Sequence, residues 1–325
     1  MARSKPVVAV LPQGEMDPLH GLEAIVGNAD MRVATDLPAF VEALSEADAL
    51  FVWDFRSDWV REAWHAAEHL RWIHTASAGV DAILIPELVD SEVVLTNSRG
   101  VFDRPIAEYV LGVLLAFAKD LHTSVRLQQR REWRHRVTGR LTGSRAVVVG
   151  AGGLGRATAG LLSAVGVHVD VVGSRARHDP DLGEILDPSG LDDALSRADA
   201  VILAAPLTPD TRGMFDADRF AAMREGATFC NVGRGALVDD GALVTALETG
   251  HLGAAALDVF TTEPLPEDSP LWTFDNVIVT PHMSGDFSGW KTVLGNLFAD
   301  NYQRWRAGEP LRNVVDKHRG YVPKE

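Results

Sequence analysis

Apolar residues along the chain gather into short continuous runs separated by stretches of helical spacing. Before residue 100 the runs are VVAVL (7–11), MRVAT (31–35), ADALFVW (47–53), LRWIHTA (70–76) and VVLTN (93–97), and each reads as a strand. Segments between them, such as LPAFVEALSEA (37–47), repeat apolar positions at helical intervals. Strands that are apolar throughout, rather than on alternate positions, belong to a parallel sheet covered on both faces. The longest helical pattern spans 105–130, PIAEYVLGVLLAFAKDLHTSVRLQQR, with Pro105 suited to a helix start. A second series of runs follows: TGSRAVVVG (142–150), VHVDVV (167–172), ADAVILAA (198–205), GATFCNVG (226–233), GAAALDVF (253–260) and NVIVTP (276–281). The pattern predicts an α/β protein with two doubly wound parallel-sheet domains and neither a low-complexity tract nor an obvious sequence repeat.

Composition agrees with this picture and narrows it. A length of 325 residues suits two domains, and 46% hydrophobic against 23% charged residues gives a core rather than disorder. The net charge is −14, from 45 acids against 31 bases. A nucleic-acid protein needs a phosphate-neutralising basic face, so no nucleic-acid partner is expected. A local cationic pocket for an anionic substrate remains compatible with that charge. The single cysteine, Cys230, allows no intrachain disulfide and lies inside an apolar run, so it reads as core and not as a nucleophile. The first apolar run, Val7 to Leu11, is stopped by Pro12 and Gly14 too early for a signal-peptide core. No stretch approaches the roughly 18 apolar residues of a membrane span. A soluble cytoplasmic protein is the expectation.

The run AVVVGAGGLGRATAGLLSAVG joins a strand to a helix, and Gly150, Gly152 and Gly155 fit G-x-G-x-x-G with Leu154 inside the loop. In that motif the first glycine allows the tight turn and the second lets backbone approach a pyrophosphate. The third lets the helix pack on the strand. A second strand, VHVDVV, follows, so the context is that of a dinucleotide site. Such sites carry an acid about 20 residues on, which holds the ribose. Here Gly173 stands in that place, 18 residues after Gly155, and VDVVGSRAR continues with Ser174, Arg175 and Arg177. Asp170 is three residues early, on the opposite face of the strand, and reads as an edge or capped position. Losing the acid removes a repulsion against a 2′-phosphate, and the serine and arginines supply partners for it. NADP(H) is therefore the expected cofactor. The alternative is NAD(H), with the arginines as solvated loop charges.

Three later segments place polar side chains at strand ends, where open parallel sheets bind ligands. NVGRGALVD (231–239) carries Arg234, ALDVFTTEPLP (256–266) carries Asp258 and Glu263, and VTPHMSG (279–285) carries His282. Together with SAGVDAI (77–83), GVFDRPIAEYVLG (100–112), PLTPDTRGMF (206–215) and the tail WRAGEPLRNVVD (305–316), these resemble the NAD(P)-dependent D-isomer-specific 2-hydroxyacid dehydrogenases nearly end to end. The likeness is nearest to glyoxylate/hydroxypyruvate reductase-like members, through the arginines after the second strand.

The resemblance implies a flavodoxin-like substrate domain, 1–99 plus 286–325, and an inserted Rossmann cofactor domain, 100–285, with substrate in a cleft between them that closes to exclude water. It implies that His282 is the acid/base and Glu263 its carboxylate partner. Arg234 would grip the 2-oxo carboxylate and polarise the ketone. The N–H groups of Ala78 and Gly79 would cradle that carboxylate, Asp258 would lie near the nicotinamide carboxamide, and Pro206 would wall the adenosine. The structural alternatives are Asp258 as a cap, Glu263 as a turn carboxylate and Arg234 as a capping or salt-bridge residue. No metal is expected, since there is neither H-E-x-x-H nor a cysteine pair.

Substrate choice is less legible. Trp53, Phe55, Arg56, Arg99, Arg104 and Trp290 are candidates to line the pocket or raise its potential, with packing and solvated charge as the alternative. Trp133 lies in the segment that the resemblance assigns to dimer contacts, so a homodimer is expected. The expected activity is NADPH-dependent reduction of a small 2-oxo acid such as glyoxylate or hydroxypyruvate to the D-2-hydroxy acid. Alternatives on the same fold are another 2-oxo acid, phosphite or 3-phosphoglycerate as substrate. The last is disfavoured by the lack of an appended regulatory domain. A dinucleotide-sensing corepressor-type protein is the alternative of another class, disfavoured by the lack of extra disordered tails.

Overall fold

The computed structural model describes residues 5–12, 14, 20–54 and 58–323. The chain divides into two compact units, Met1–Val101 with Phe287–Glu325, and Phe102–Asp286.

In the first unit the strands are β1 (Val7–Leu11), β2 (Asp30–Val33), β3 (Ala49–Val52), β4 (Trp72–Thr75) and β5 (Val94–Thr96). They form one parallel sheet in the order β2-β1-β3-β4-β5, the flavodoxin-like winding. β1, β3 and β4 are buried along their whole length, which is why their sequences are apolar at consecutive positions. One face packs Leu11, Phe40, Leu50, Ile73 and Leu95. On the other, Phe298 of the Trp290–Ala307 helix stacks on Phe51 at 4.3 Å and on Trp72 at 5.0 Å, so the C-terminal segment completes this unit's core.

The second unit holds β6 (Arg145–Val149), β7 (His168–Val172), β8 (Arg177–Asp179), β9 (Gly183–Leu186), β10 (Ala200–Leu203), β11 (Ala227–Asn231), β12 (Leu252–Leu257) and β13 (Val277–Val279). Their order is β13-β12-β11-β10-β6-β7-β9-β8. Alternate residues of the central strands enter two cores. Val147, Val201 and Phe229 face one, and Val148, Ile202 and Cys230 face the other. Cys230 is fully buried, and burial pushes its thiol pKa up.

Three sequence expectations need correction. The helical pattern at 105–130 is two helices, Asp103–Ala118 and Leu121–Gln129, broken at Asp120, which takes a left-handed φ of 49°. Pro105 is the third residue of the first helix and not its start, a position where its missing N–H still leaves no helical bond unmade. The larger sheet is not wholly parallel: β8 runs antiparallel to β9 at its edge. Asp170, paired with Val147 of β6 and one residue short of the first β9 pair at Val171, accepts from Arg197 Nη2 at 3.3 Å.

Candidate active site

At the glycine loop, β6 ends at Val149 and the Gly153–Ala164 helix begins directly after Gly152. Gly150 has φ 124°, and a Cβ there would stand 2.5 Å from the Ala204 carbonyl oxygen; a Cβ on Gly155 would overlap the Gly150 carbonyl. Only glycine satisfies both contacts. Gly152, by contrast, has open space where a side chain would be. A tight turn, an unobstructed backbone face and the N-terminus of a 12-residue helix fit the phosphates of a dinucleotide. Leu154 is half-buried against the core beneath the loop, and Pro206 is exposed just beyond β10.

The end of β7 explains what replaces the missing acid. A Cβ on Gly173 would lie 3.2 Å from Arg177 Nη1. The guanidinium therefore occupies the space into which an acidic side chain at 173 would project. Arg177 Nη2 also reaches the Ala151 carbonyl of the glycine loop at 3.5 Å. Ser174 and Arg175 are exposed on the connecting loop.

Arg234, Asp258, Glu263 and His282 follow β11, β12 and β13, all at the C-terminal edge of the same sheet. His282 Nδ1 is 2.9 Å from Glu263 Oε2, and Glu263 Oε1 accepts the Phe260 N–H at 3.0 Å. A Cβ on Gly235 would overlap the Phe260–Thr261 peptide, so the loop carrying Arg234 lies directly on the loop carrying Glu263. His282 has φ 53°, unusual for a residue with a Cβ. Asp258 holds it there: its carbonyl accepts the His282 N–H at 2.8 Å, and its carboxylate accepts the N–H groups of Met283 and Ser284 at 3.0 Å each. Thr280 Oγ1 donates to the same carboxylate at 2.5 Å, and Tyr109 OH donates to Thr280 at 2.9 Å. Burial raises the Tyr109 pKa, keeping it a donor. Asp258 is only 1% exposed, so its geometry is that of a brace for the histidine loop rather than of a group open to a ligand.

In the first unit, Ala78 is exposed and Gly79 half-buried. Asn97 Nδ2 donates to the Ala78 carbonyl and Ser77 Oγ to the Gly79 carbonyl, both at 2.5 Å. Among the described residues, neither N–H of the pair has a protein acceptor, so both are available to an anion. The pocket candidates fare differently. Trp53 is 1% exposed and packs on Phe51, so it is core. Arg99 donates to the carbonyls of Val322 and Pro323, and Arg104 pairs with Glu108 on an exposed helix face. Trp290 opens the C-terminal helix beneath Lys291. Phe55 and Arg56 lie outside the described residues. Trp133 is fully exposed in a stretch without regular structure.

Residues 111–284 match the family "D-isomer specific 2-hydroxyacid dehydrogenase, NAD binding domain". The chain belongs to the D-isomer specific 2-hydroxyacid dehydrogenase family. A glyoxylate reductase from Thermofilum pendens is 33% identical over 79% of this chain and 78% of that protein. A D-3-phosphoglycerate dehydrogenase from Methanocaldococcus jannaschii is 32% identical over 92% of this chain, which spans 58% of that relative's length. Among solved structures, an NADPH-dependent glyoxylate/hydroxypyruvate reductase from Sinorhizobium meliloti, in complex with NADP and sulfate, superposes with a TM-score of 0.82. It shares 30% identity and is covered over 98% of this chain and 100% of its own.

As a 2-hydroxyacid dehydrogenase family member, the chain has the NAD-binding domain and parallel-sheet architecture of these oxidoreductases. Sequence reasoning missed the contacts that hold this domain's loops and edge hairpin in place. Thr280 and Tyr109 brace Asp258, and Arg156 with Asp179 fastens the β8–β9 hairpin. The Thr-x-His spacing of Thr280 and His282 was visible, but nothing local marks a threonine as the donor to a residue 22 positions earlier.

Proposed function

We propose that this chain reduces a small 2-oxo acid such as glyoxylate or hydroxypyruvate to the D-2-hydroxy acid, with NADPH preferred over NADH. The observation that carries the reading is the His282–Glu263 pair, oriented by the Asp258 brace and sharing a frame with the Arg234 loop. When bound, the nicotinamide supplies the hydride. Glu263 takes the Nδ1–H and so fixes the ring's tautomer and direction, and Nε2 exchanges the proton with the substrate oxygen. Arg234 grips the carboxylate and draws charge from the ketone, and the N–H groups of Ala78 and Gly79, in the first unit, are donors of the kind a carboxylate takes.

The Phe102–Asp286 unit serves as the cofactor domain and the other unit as the substrate domain. Gly150, Gly152, Leu154, Gly155 and Pro206 hold the dinucleotide, and Ser174, Arg175 and Arg177 take the 2′-phosphate. The Arg177 guanidinium, standing where a ribose-binding acid would project, supports NADPH. The names of the Thermofilum and Sinorhizobium proteins support the same substrate class. The exposed Trp133 and Val137 support a homodimer formed through that segment.

The test is initial rates with glyoxylate and hydroxypyruvate, each with NADPH and NADH, for the wild type and His282→Ala. Faster turnover with NADPH is expected, and His282→Ala should lose at least about a hundredfold in kcat while still binding NADPH. An NADH preference would sink the cofactor assignment. No rate with either cofactor would sink the substrate class, and a normal rate in His282→Ala would remove the histidine from the chemistry.

A further inference from the structure

The residue proposed to read the cofactor's phosphate stands on a three-residue strand at the edge of its sheet. β8 has three residues, Arg177 to Asp179, and pairs only with β9. β9 in turn joins β7 through two residue pairs, Val171 with Ile185 and Val172 with Leu186, and the Gly173 N–H donates to the Leu186 carbonyl at 2.8 Å. An isolated two-stranded hairpin is marginal in water. Something further must fix this one if Arg177 is to stay beside Gly173.

Asp179, at the far end of β8, supplies that anchor. It is 5% exposed and takes both Nη atoms of Arg156, from the glycine-loop helix, the Nη1–Oδ1 contact being 2.6 Å. Asp179 Oδ1 also accepts the N–H groups of Asp181 and Leu182 at 3.2 and 3.3 Å, closing the turn into β9. The Arg156 guanidinium holds the Asp179 carboxyl well below the usual carboxylate range. Asp181 adds a third contact to Arg156 at 3.0 Å. Arg156 is thus fully engaged by acids. Arg177, by contrast, has no carboxylate partner among the described residues, and it reaches the Arg175 and Ala151 carbonyls at 3.5 Å.

We infer that the Arg156–Asp179 clasp sets cofactor selectivity: it ties the hairpin to the glycine-loop helix so that Arg177 is held at the end of β7, where a 2′-phosphate would lie. Arg156 and Asp179 are positioning residues that touch no cofactor themselves. The inference rests on the reading of Arg177 as the phosphate ligand.

The experiment measures equilibrium binding of 2′-AMP and 5′-AMP to the full chain by calorimetry, alongside KM for NADPH and NADH. The variants are Arg177→Ala, Asp179→Ala, Arg156→Gln and Arg156→Lys. Arg177→Ala should weaken 2′-AMP about tenfold or more, one charge-assisted contact's worth, and barely move 5′-AMP. Asp179→Ala and Arg156→Gln should reproduce that selective loss and raise KM for NADPH, with kcat and KM for NADH little changed. Arg156→Lys, which keeps one contact, should fall between. In an Arg177→Ala background, Asp179→Ala should cause no further loss of 2′-AMP. If Asp179→Ala fails to fold, the two Arg156 variants make the same comparison. A selective Arg177→Ala beside clasp variants that weaken both nucleotides equally, or neither, overturns the clasp alone. A non-selective Arg177→Ala overturns the cofactor reading and the clasp with it.

Discussion

A buried carboxylate with no cation beside it among the described residues needs a reason, and at Asp258 the reason is three donors. Thr280 Oγ1 and the N–H groups of Met283 and Ser284 all point at its two oxygens. Only an acceptor-only group satisfies all of them. The bonds also hold His282 at φ 53°, a conformation that costs a residue with a Cβ about 1–2 kcal/mol. Asp258→Asn turns an NH2 toward at least one donor. Leaving a buried donor unsatisfied costs about 1–3 kcal/mol. We predict that Asp258→Asn lowers stability by that order in urea unfolding and lowers kcat, while NADPH still binds. A destabilised variant with wild-type kcat would mean that His282 keeps its aim without this brace. The histidine, its glutamate and the arginine stood out in sequence as candidates because their strand-end segments resemble those of the family. The bracing contacts of Asp258 were not legible, because an aspartate at a strand end looks the same whether it faces a ligand or the backbone of a loop more than 20 residues later.

The elements most readable in sequence were those buried on both faces. β1, β3, β4 and β10 carry continuous apolar runs, and burial along their whole length explains them. The β8–β9 hairpin escaped notice because Arg177-His178-Asp179 offers no apolar run, and its place at the sheet edge requires none. The break at Asp120 was equally silent, since apolar spacing continues across it. Contacts between loops are harder still to read from sequence, and Gly235 is the case that matters for the chemistry. Its lack of a side chain lets the Arg234 loop lie on the Phe260–Thr261 peptide, two residues before Glu263. Overpacking of this kind commonly costs about 1–3 kcal/mol. Gly235→Ala should push the two loops apart and so reduce kcat and raise KM for the 2-oxo acid, leaving the NADPH dissociation constant near that of the wild type. Unaltered steady-state constants would show that Arg234 and Glu263 do not depend on this contact.

Across the molecule, pH acts on two opposed quantities. A net charge of −14 makes the compact state self-repelling, and mild acid relieves that repulsion by protonating surface carboxylates. His74 works the other way. It is fully buried in β4 of the first unit, with Nδ1 2.8 Å from Thr96 Oγ1 and its ring against Phe51 and Phe298, and burial lowers its pKa to about 3. Because the folded pKa lies below the unfolded value of about 6.5, the unfolded chain takes the proton first as pH falls. The contribution is therefore fully present above about pH 6.5 and is lost progressively down to about pH 3. The loss amounts to about 2 kcal/mol between about pH 7 and pH 5. His74→Phe separates the two effects. Both hydroxyls near the ring have other acceptors, Thr96 the Ile73 carbonyl and Ser98 the Thr75 carbonyl, so the change strands no donor. Tryptophan emission is a suitable readout, because six of the eight tryptophans, all but Trp133 and Trp272, belong to the first unit. The stability difference between wild type and His74→Phe should shift toward the variant by that amount across this range, whatever the surface charges contribute to both. Parallel stability curves would mean that His74 is protonated equally in the folded and unfolded chains, and that the acid response of this unit comes from its carboxylates alone.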